Sequence, residues 1–207
     1  RSVHMRELQS AEDYATWLDE LLDALDLEHD VNLVGLSYGG WISAHYALHA
    51  PERLRKVVLL APAGTVAPLP FSWIWRAVLV ALPHPYFTKD FLYWVLEDLS
   101  RTEDGRALLD QAADSGYRAM RARKPRQMAP PDVLPDEALQ TFAMPVLFVV
   151  GENEKLYPAT DAVARLNEVA PNIETQFVPS AGHDLTMVQA DRVNRIILEF
   201  LAEPPAP

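Results

Sequence analysis

The chain has 207 residues, 49% of them hydrophobic, and it carries a formal net charge of −11 and no cysteine. The absence of cysteine excludes disulfides, cysteine nucleophiles and thiolate metal sites, and the negative charge argues against nucleic-acid binding through a general basic surface. No apolar run reaches the roughly 18 residues that span a bilayer, since the nearest, residues 71–82, is interrupted by Arg76. No signal peptide is recognisable, so a cytoplasmic location is expected.

The first elements predicted along the chain are a helix, a strand and a second helix. A capping box begins at Ser10, and apolar residues then recur at helical spacing until about residues 27–30. Residues 31–36 form a short apolar run of the type found in strands that are buried on both faces. A glycine-rich turn follows at residues 35–40, and a helix-length segment continues until Pro51.

The rest of the chain alternates between strands and helices around one purely helical stretch. Strands are predicted at residues 56–60, 144–151 and 173–178, and helices at residues 159–169 and 189–201. Between residues 68 and 142, helical segments broken by prolines contain no convincing strand. This alternation predicts an α/β fold, in which a parallel sheet is flanked by helices. We therefore expect core segments at residues 1–67 and 143–207 and an inserted helical cap at residues 68–142.

The glycine-rich turn has the form of a nucleophile elbow centred on Ser37. A strand-turn-helix of this kind holds its central residue in a strained conformation, so the positions two before and two after it must carry almost no side chain. Gly35 and Gly39 meet that demand. The G-x-S-x-G pattern also arises by chance in glycine-rich turns, but its place between a strand and a helix favours a catalytic serine.

A serine hydroxyl needs a base to take its proton and an acid to orient that base. His183 lies in the loop after the last predicted strand, where a parallel sheet places its ligand-facing groups. The acid is expected after an earlier strand, and the loop that follows residues 144–151 offers two carboxylates, Glu154 and Glu152. We prefer Glu154 and keep Glu152 as the alternative.

These motifs resemble those of the α/β-hydrolase superfamily, and in particular its small esterase-like members with a helical cap. The segments that carry the resemblance are Gly35-Leu36-Ser37-Tyr38-Gly39-Gly40, Pro51-Glu52-Arg53, Leu59-Leu60-Ala61-Pro62-Ala63, Gly151-Glu152-Asn153-Glu154 and Ala181-Gly182-His183. The resemblance implies Ser37 as nucleophile, His183 as general base and Glu154 as the residue that orients it. It also implies the backbone N–H of Tyr38 as one oxyanion donor. In the family the acid is usually aspartate, and Glu154 departs from that pattern.

A second departure concerns the strands that precede the elbow in this family. Several strands come before it there, and a loop among them supplies a second oxyanion N–H. Only 30 residues precede Val31, and they contain one predicted helix. We therefore expect residues 31–36 to lie at a sheet edge, although their composition suits a central strand. The expectation is that this chain is the C-terminal part of a longer hydrolase, or that the missing half comes from elsewhere, and that the exposed edge allows self-association.

Aromatic residues of the predicted cap are candidates for a substrate pocket: Trp73, Trp75, Phe91 and Trp94. Because a lid built from such side chains favours apolar groups, they indicate an apolar acyl or alkyl group in the substrate. The alternative interpretation is that these aromatic side chains only pack the cap onto the sheet.

The cap also contains a basic run, formed by Arg118, Arg121, Arg123, Lys124 and Arg126. Such a run is either a solvated helix face or a guide for an anionic substrate.

The function expected from the sequence is hydrolysis of a carboxylic ester or a related small-molecule acyl compound through an acyl-serine intermediate, without a metal or organic cofactor. The alternatives within the same chemistry are lactone, amide or carbon–carbon hydrolysis and acyl transfer. A non-catalytic binding protein on the same scaffold is the alternative from a different class, because no second oxyanion donor is evident in the sequence.

Overall fold

The structure is a computed structural model that describes residues 7–122 and 128–203. Its four strands form one parallel sheet in the order β1 (Val31–Leu36), β2 (Leu54–Leu60), β3 (Val146–Gly151) and β4 (Ile173–Val178). Each strand pairs with the next one in the sequence. Because the pairs are parallel, every connection has to cross over a face of the sheet.

The structure has nine α-helices in the residues that it describes. They are α1 (Ala11–Ala24), α2 (Tyr38–His49), α3 (Phe71–Val80), α4 (Pro85–Val95), α5 (Glu103–Ala122), α6 (Asp136–Gln140), α7 (Ala159–Val169), α8 (Leu185–Val188) and α9 (Ala190–Ala202). Helices α2, α3 to α6, and α7 lie in the three crossovers, while α1 precedes β1 and α8 and α9 follow β4. Helix α1 begins with the expected capping box at Ser10 but ends earlier than expected, because Asp26 adopts a left-handed conformation with φ of 57°. Among residues 7–122 and 128–203, no helix has both the length and the hydrophobicity that crossing a membrane requires.

The sheet separates two hydrophobic cores. On one face, residues such as Val57 and Phe148 pack with α1, α2 and α7. On the other face, Val58 and Leu147 pack with α8 and α9. Strands β2 and β3 are therefore buried on both faces, as their nearly continuous apolar sequence predicts. This arrangement confirms the α/β fold, with helices on both faces of a parallel sheet.

Strand β1 lies at one end of the sheet and is only partly buried. Val34 and Leu36 are 43% and 39% exposed, although their partners on β2, Val58 and Leu60, lie in the core that α9 covers. In the described part of the chain, no strand pairs with the outer edge of β1. The expectation of burial on both faces is therefore wrong for β1, while its expected position at the sheet edge is observed.

Helices α3 to α6 lie between β2 and β3, in the stretch expected to form a cap. We call residues 68–142 the helical insertion. Helix α4 packs against both α3 and α5, and Trp73, Phe91 and Val95 reach the core that contains α1, α2 and α7. The insertion therefore rests on the sheet domain through its aromatic residues.

The basic run is only partly described by the structure. Arg121 donates from Nη2 to the carbonyl oxygens of Ala81 at 2.8 Å and Leu82 at 2.6 Å, so it closes the C-terminal end of α3. Arg118 forms an exposed ion pair with Asp114 at 3.3 Å. The three remaining members, Arg123, Lys124 and Arg126, lie outside the described residues.

Candidate active site

Ser37 stands between β1 and α2 in a strained backbone conformation, with φ of 55° and ψ of −119°. A positive φ is unfavourable for a residue with a side chain and persists only where the surroundings impose it. Here the N–H of Ser37 donates to the carbonyl of Leu60 at 2.9 Å, and its carbonyl accepts from the N–H of Ala63 at 3.0 Å. The end of β2 therefore fixes the serine at the carboxyl edge of the sheet.

The glycines around the serine have unequal roles. A Cβ at Gly35 would lie 2.3 Å from the carbonyl oxygen of Gly39 and 2.4 Å from Ser43 Oγ, and a Cβ at Gly40 would lie 2.8 Å from Pro62 Cβ. A Cβ at Gly39 would meet nothing within 4 Å apart from its own helix. The steric demand therefore falls on Gly35 and Gly40, and the expectation that Gly39 must lack a side chain is wrong.

His183 occupies the loop after β4 and contacts both of its expected partners. Its Nε2 lies 2.8 Å from Ser37 Oγ, and its Nδ1 lies 3.0 Å from Glu154 Oε2. The imidazole is 10% exposed, so it reaches solvent only through a small opening. If Nδ1 carries the proton and donates to Glu154, Nε2 is free to accept the hydroxyl proton of Ser37.

Glu154 is fully buried, and both of its oxygens have partners. Oε2 faces His183, and Oε1 accepts from the backbone N–H groups of Lys155 at 2.8 Å and Leu156 at 2.9 Å. Such bonds meet the requirement that a buried carboxylate be hydrogen-bonded. Burial and the negative charge of Glu154 raise the pKa of Tyr157 well above its usual value, so this phenol stays neutral.

Glu152, the alternative acid, faces a different partner. Its Oε2 accepts from the backbone N–H of Ser180 at 3.3 Å. Of the two carboxylates in this loop, the structure thus places Glu154 at hydrogen-bond distance from His183.

Tyr38 is the first residue of α2, where a backbone N–H has no acceptor within its own helix. Its side chain points to the helical insertion, because the hydroxyl donates to the carbonyl of Ala129 at 2.8 Å and the ring packs at 5.1 Å from the Trp41 ring. Burial raises the pKa of this phenol. The part of Tyr38 that is suited to an oxyanion is therefore its N–H.

The four aromatic pocket candidates divide into two pairs. The rings of Trp73 and Phe91 meet edge to face at 6.2 Å and pack against the core. Trp75 and Trp94 contact the Arg76 guanidinium, at 4.1 and 4.7 Å from their ring centres. Trp75 and Trp94 therefore share a structural partner within the insertion, and Trp94 also packs against the same core as Trp73 and Phe91.

Three polar residues beside the site were missed by the sequence analysis. Asp98 and Asp184 are buried carboxylates, and Asn153 donates from Nδ2 to Asp98 at 3.0 Å. The sequence offered one signal for two of them: Asn153 directly precedes Glu154, and Asp184 directly follows His183. Asp98 had none, because it lies 55 positions before Asn153.

Residues 5–196 match the model of the alpha/beta hydrolase family. The chain is 30% identical over 188 residues to an uncharacterized carboxylesterase, nap, of Bacillus subtilis, and the match covers 91% of this chain and 62% of that protein. It is 29% identical over 205 residues to carboxylesterase YbfK of the same organism, covering 97% of this chain and 67% of the relative. A more distant relative is 2-hydroxymuconate semialdehyde hydrolase of Pseudomonas putida, 26% identical over 93% of this chain and 70% of that protein.

The three-dimensional comparison agrees with the sequence matches. The crystal structure of carboxylesterase CesB (YbfK) from Bacillus subtilis matches with a TM-score of 0.85 at 28% identity, over 98% of this chain and 70% of that one. The chain spans 62 to 67% of the length of the two Bacillus carboxylesterases. Because the family model matches nearly the whole chain and the fold agrees with it, the chain belongs to the alpha/beta hydrolase family.

Proposed function

We propose that this protein is a serine hydrolase that cleaves carboxylic esters, or closely related acyl compounds, through an acyl-serine intermediate. The observation that carries the proposal is the unbroken series of contacts from Ser37 Oγ to His183 at 2.8 Å and from His183 to Glu154 at 3.0 Å. Similarity to the two Bacillus carboxylesterases supports an ester as the substrate class.

In the first half-reaction, Ser37 Oγ attacks the ester carbonyl carbon while His183 Nε2 takes the hydroxyl proton. Glu154 stabilises the imidazolium that forms and fixes its orientation. When the tetrahedral intermediate collapses, the bond to the leaving alcohol breaks and Nε2 returns the proton to that alcohol. The acyl group is then bound to Ser37.

In the second half-reaction, a water molecule replaces the alcohol. His183 Nε2 takes a proton from the water as its oxygen attacks the acyl carbon, and then gives that proton to Ser37 Oγ as the acyl–serine bond breaks. The carboxylic acid leaves and the resting site is restored.

The oxyanion of both tetrahedral intermediates needs preorganised donors. The backbone N–H of Tyr38 is one, because it lies at the free N-terminal end of α2, directly after the nucleophile. The partial positive charge of that helix end also favours the developing negative charge.

The helical insertion is the proposed cap over this site. Trp73, Phe91 and Trp94 pack where the insertion meets the core, so they are the pocket candidates best placed to contact an apolar acyl group. Trp75 and Trp94 also hold Arg76 between them.

Labelling with a fluorophosphonate probe tests this proposal. A serine activated by His183 attacks the probe, so the wild-type protein should be labelled at Ser37 and should hydrolyse p-nitrophenyl butyrate, while Ser37→Ala should do neither. A folded wild-type protein that takes up no probe would exclude the enzyme and favour a binding protein on this scaffold.

A second candidate function comes from the Pseudomonas relative, which is a 2-hydroxymuconate semialdehyde hydrolase. Initial rates on 2-hydroxymuconate semialdehyde and on p-nitrophenyl butyrate, measured side by side, separate the two. A clearly higher kcat/KM on the semialdehyde would replace the ester as the preferred substrate class.

A further inference from the structure

A short segment of the helical insertion contacts both loops that carry the proposed acid and base. It comprises residues 97–101, which we call the 97–101 turn. The carboxylate of Asp98 accepts hydrogen bonds from Asn153 Nδ2, with 3.2 Å to Oδ1 and 3.0 Å to Oδ2, and pairs with Arg101 at 2.8 Å. Although it is charged, the Asp98 side chain is only 5% exposed.

This turn contacts the acid loop on both sides of Glu154. Asp98 binds Asn153, the residue before Glu154, and Glu97 pairs with Lys155, the residue after it, at 2.5 Å. The Glu97 pair is partly exposed, and such pairs contribute little. The buried Asp98–Asn153 contact is therefore the stronger constraint on the position of Glu154.

The same turn contacts the histidine loop. The backbone N–H of Leu99 donates to Asp184 Oδ2 at 2.7 Å, and Asp184 Oδ1 accepts from the N–H of Gly182 at 3.1 Å. His183 lies between Gly182 and Asp184 in the chain. Burial raises the pKa of Asp184, with a smaller contribution from the charge of Asp98, while the hydrogen bonds from Leu99 and Gly182 oppose the shift.

Two buried carboxylates that raise each other's energy are an unfavourable arrangement unless their hydrogen bonds compensate. Neither carboxylate belongs to the proposed reaction. The arrangement fixes the separation between the two loops, and the proposed reaction requires Glu154 to stay within hydrogen-bond distance of His183, which is 3.0 Å in the structure. Misplacement of a catalytic group by about 1 Å lowers rates by about 100-fold.

We propose that Asp98 is a positioning residue that sets the relative placement of Glu154 and His183 from within the helical insertion. The proposal rests on the proposed serine-hydrolase function of these two residues. It makes the insertion part of the active-site framework, because a shift of the 97–101 turn displaces both loops together.

An exchange of the two interacting groups tests the proposal. Asp98→Asn removes the ion pair with Arg101 and leaves only the weaker hydrogen bond between two neutral amides, and Asn153→Asp leaves two carboxylates facing each other, whereas the double variant restores one carboxylate and one amide. We expect each single variant to lower kcat for p-nitrophenyl butyrate about 10- to 100-fold with little change in KM. The double variant should recover most of that loss. Asp104→Asn, in the first turn of α5, is the matched control and should keep the wild-type kcat.

Two further measurements separate positioning from a purely structural role. A proton on His183 Nδ1 that is donated to Glu154 should give a low-field NMR signal in the wild-type protein. This signal should shift or disappear in Asp98→Asn and return in the double variant. Urea unfolding midpoints report stability separately. A lower midpoint with unchanged kcat, labelling rate and Nδ1 signal would overturn the proposal and leave Asp98 as a structural contact.

The proposal can still be tested if Asp98→Asn does not fold or if the wild-type protein has no esterase activity. If Asp98→Asn does not fold, Asn153→Ala deletes the partner but leaves Asp98 paired with Arg101, and the same readouts apply. If the wild-type protein neither labels nor hydrolyses esters, the proposed function fails. In that case the Nδ1 signal still decides whether Asp98 sets the His183–Glu154 geometry.

Discussion

His183 Nε2 lies 2.8 Å from Ser37 Oγ, although the two residues are 146 positions apart in the chain. They follow β4 and β1, the two outer strands of the four-stranded sheet, so the contact extends over the carboxyl ends of β2 and β3. It forms only when the whole sheet is assembled and both loops turn inward. The proposed function requires the serine and the histidine to act as a single chemical unit.

The first prediction concerns that unit. Ser37→Ala and His183→Ala should each remove nearly all esterase activity, and the double variant should be scarcely worse than either single variant, because each change already disables the same step. Initial rates on p-nitrophenyl butyrate measure this, with Ser72→Ala and His29→Ala as controls at positions away from the site. Losses that add up in the double variant would contradict a shared nucleophilic role.

The acid is tested by a matched pair of substitutions in one loop. Glu154→Gln should lower kcat by on the order of 10⁴-fold, because the amide cannot hold the histidine tautomer that accepts the serine proton. Glu152→Gln should change kcat only a few-fold, since Glu152 contacts the Ser180 backbone. The reverse order of the two losses would assign the acid to Glu152.

The elbow glycines give a prediction about stability. Gly35→Ala should destabilise the protein by about 1–3 kcal/mol or more, because its Cβ would lie 2.3 Å from the Gly39 carbonyl oxygen. Gly39→Ala should be neutral or stabilising by up to about 1 kcal/mol, since alanine is the better helix former. Urea unfolding of both variants checks this, and an equal loss in the two would contradict the unequal roles of these glycines.

The pH dependence of stability should contain a contribution from His45. Burial lowers the pKa of His45, and Asp132, 3.2 Å away, opposes part of that shift. The folded protein therefore binds this proton more weakly than the unfolded chain does. The stability that His45 contributes is present above its unfolded pKa of about 6.5 and is lost as the pH falls through the lower folded value.

Urea midpoints between pH 7.5 and 5 measure this contribution. The wild-type midpoint should fall on acidification, and His45→Gln should reduce that fall, while the exposed His29→Gln should not. If the urea midpoint depends on pH in the same way for the wild type and His45→Gln, protonation of His45 does not affect the stability of the protein.

The open edge of β1 predicts self-association with a second copy of the chain. In residues 7–122 and 128–203 no strand pairs with the outer backbone groups of β1, and these groups together with the exposed side chains of Val34 and Leu36 favour pairing at this edge, whereas a lysine there disfavours it. Sedimentation velocity should detect concentration-dependent association of the wild type and less of it for Val34→Lys. Val78→Lys, which places the same charge on exposed α3, is the control. A monomeric wild type, or an equal effect of both lysines, would rule out the β1 edge.

The sequence alone determined those features of the protein that depend on residues close together in the chain, namely several helices and strands and the turn that carries Ser37. Local pattern predicted β4 at residues 173–178 and α7 at residues 159–169 with the bounds observed. In α7 the apolar residues recur at helical spacing, and both segments are set off by prolines or turn residues. The strained serine also followed from local pattern, since a strand, a glycine-rich turn and a helix are contiguous in the chain. Pattern failed for the burial of β1, because an apolar run does not reveal which neighbours will cover it.

Only the tertiary structure decided which groups meet. The sequence favoured Glu154 but kept Glu152 open, because both lie in one loop; in the structure the turn after β3 directs Glu154 toward His183 and Glu152 toward Ser180. The contact of Asp98 with Asn153 is likewise invisible in the sequence. Local pattern reports the periodicity of a segment, whereas a contact between distant residues depends on the path of the chain between them, and that path is fixed by packing of the whole sheet and the helical insertion.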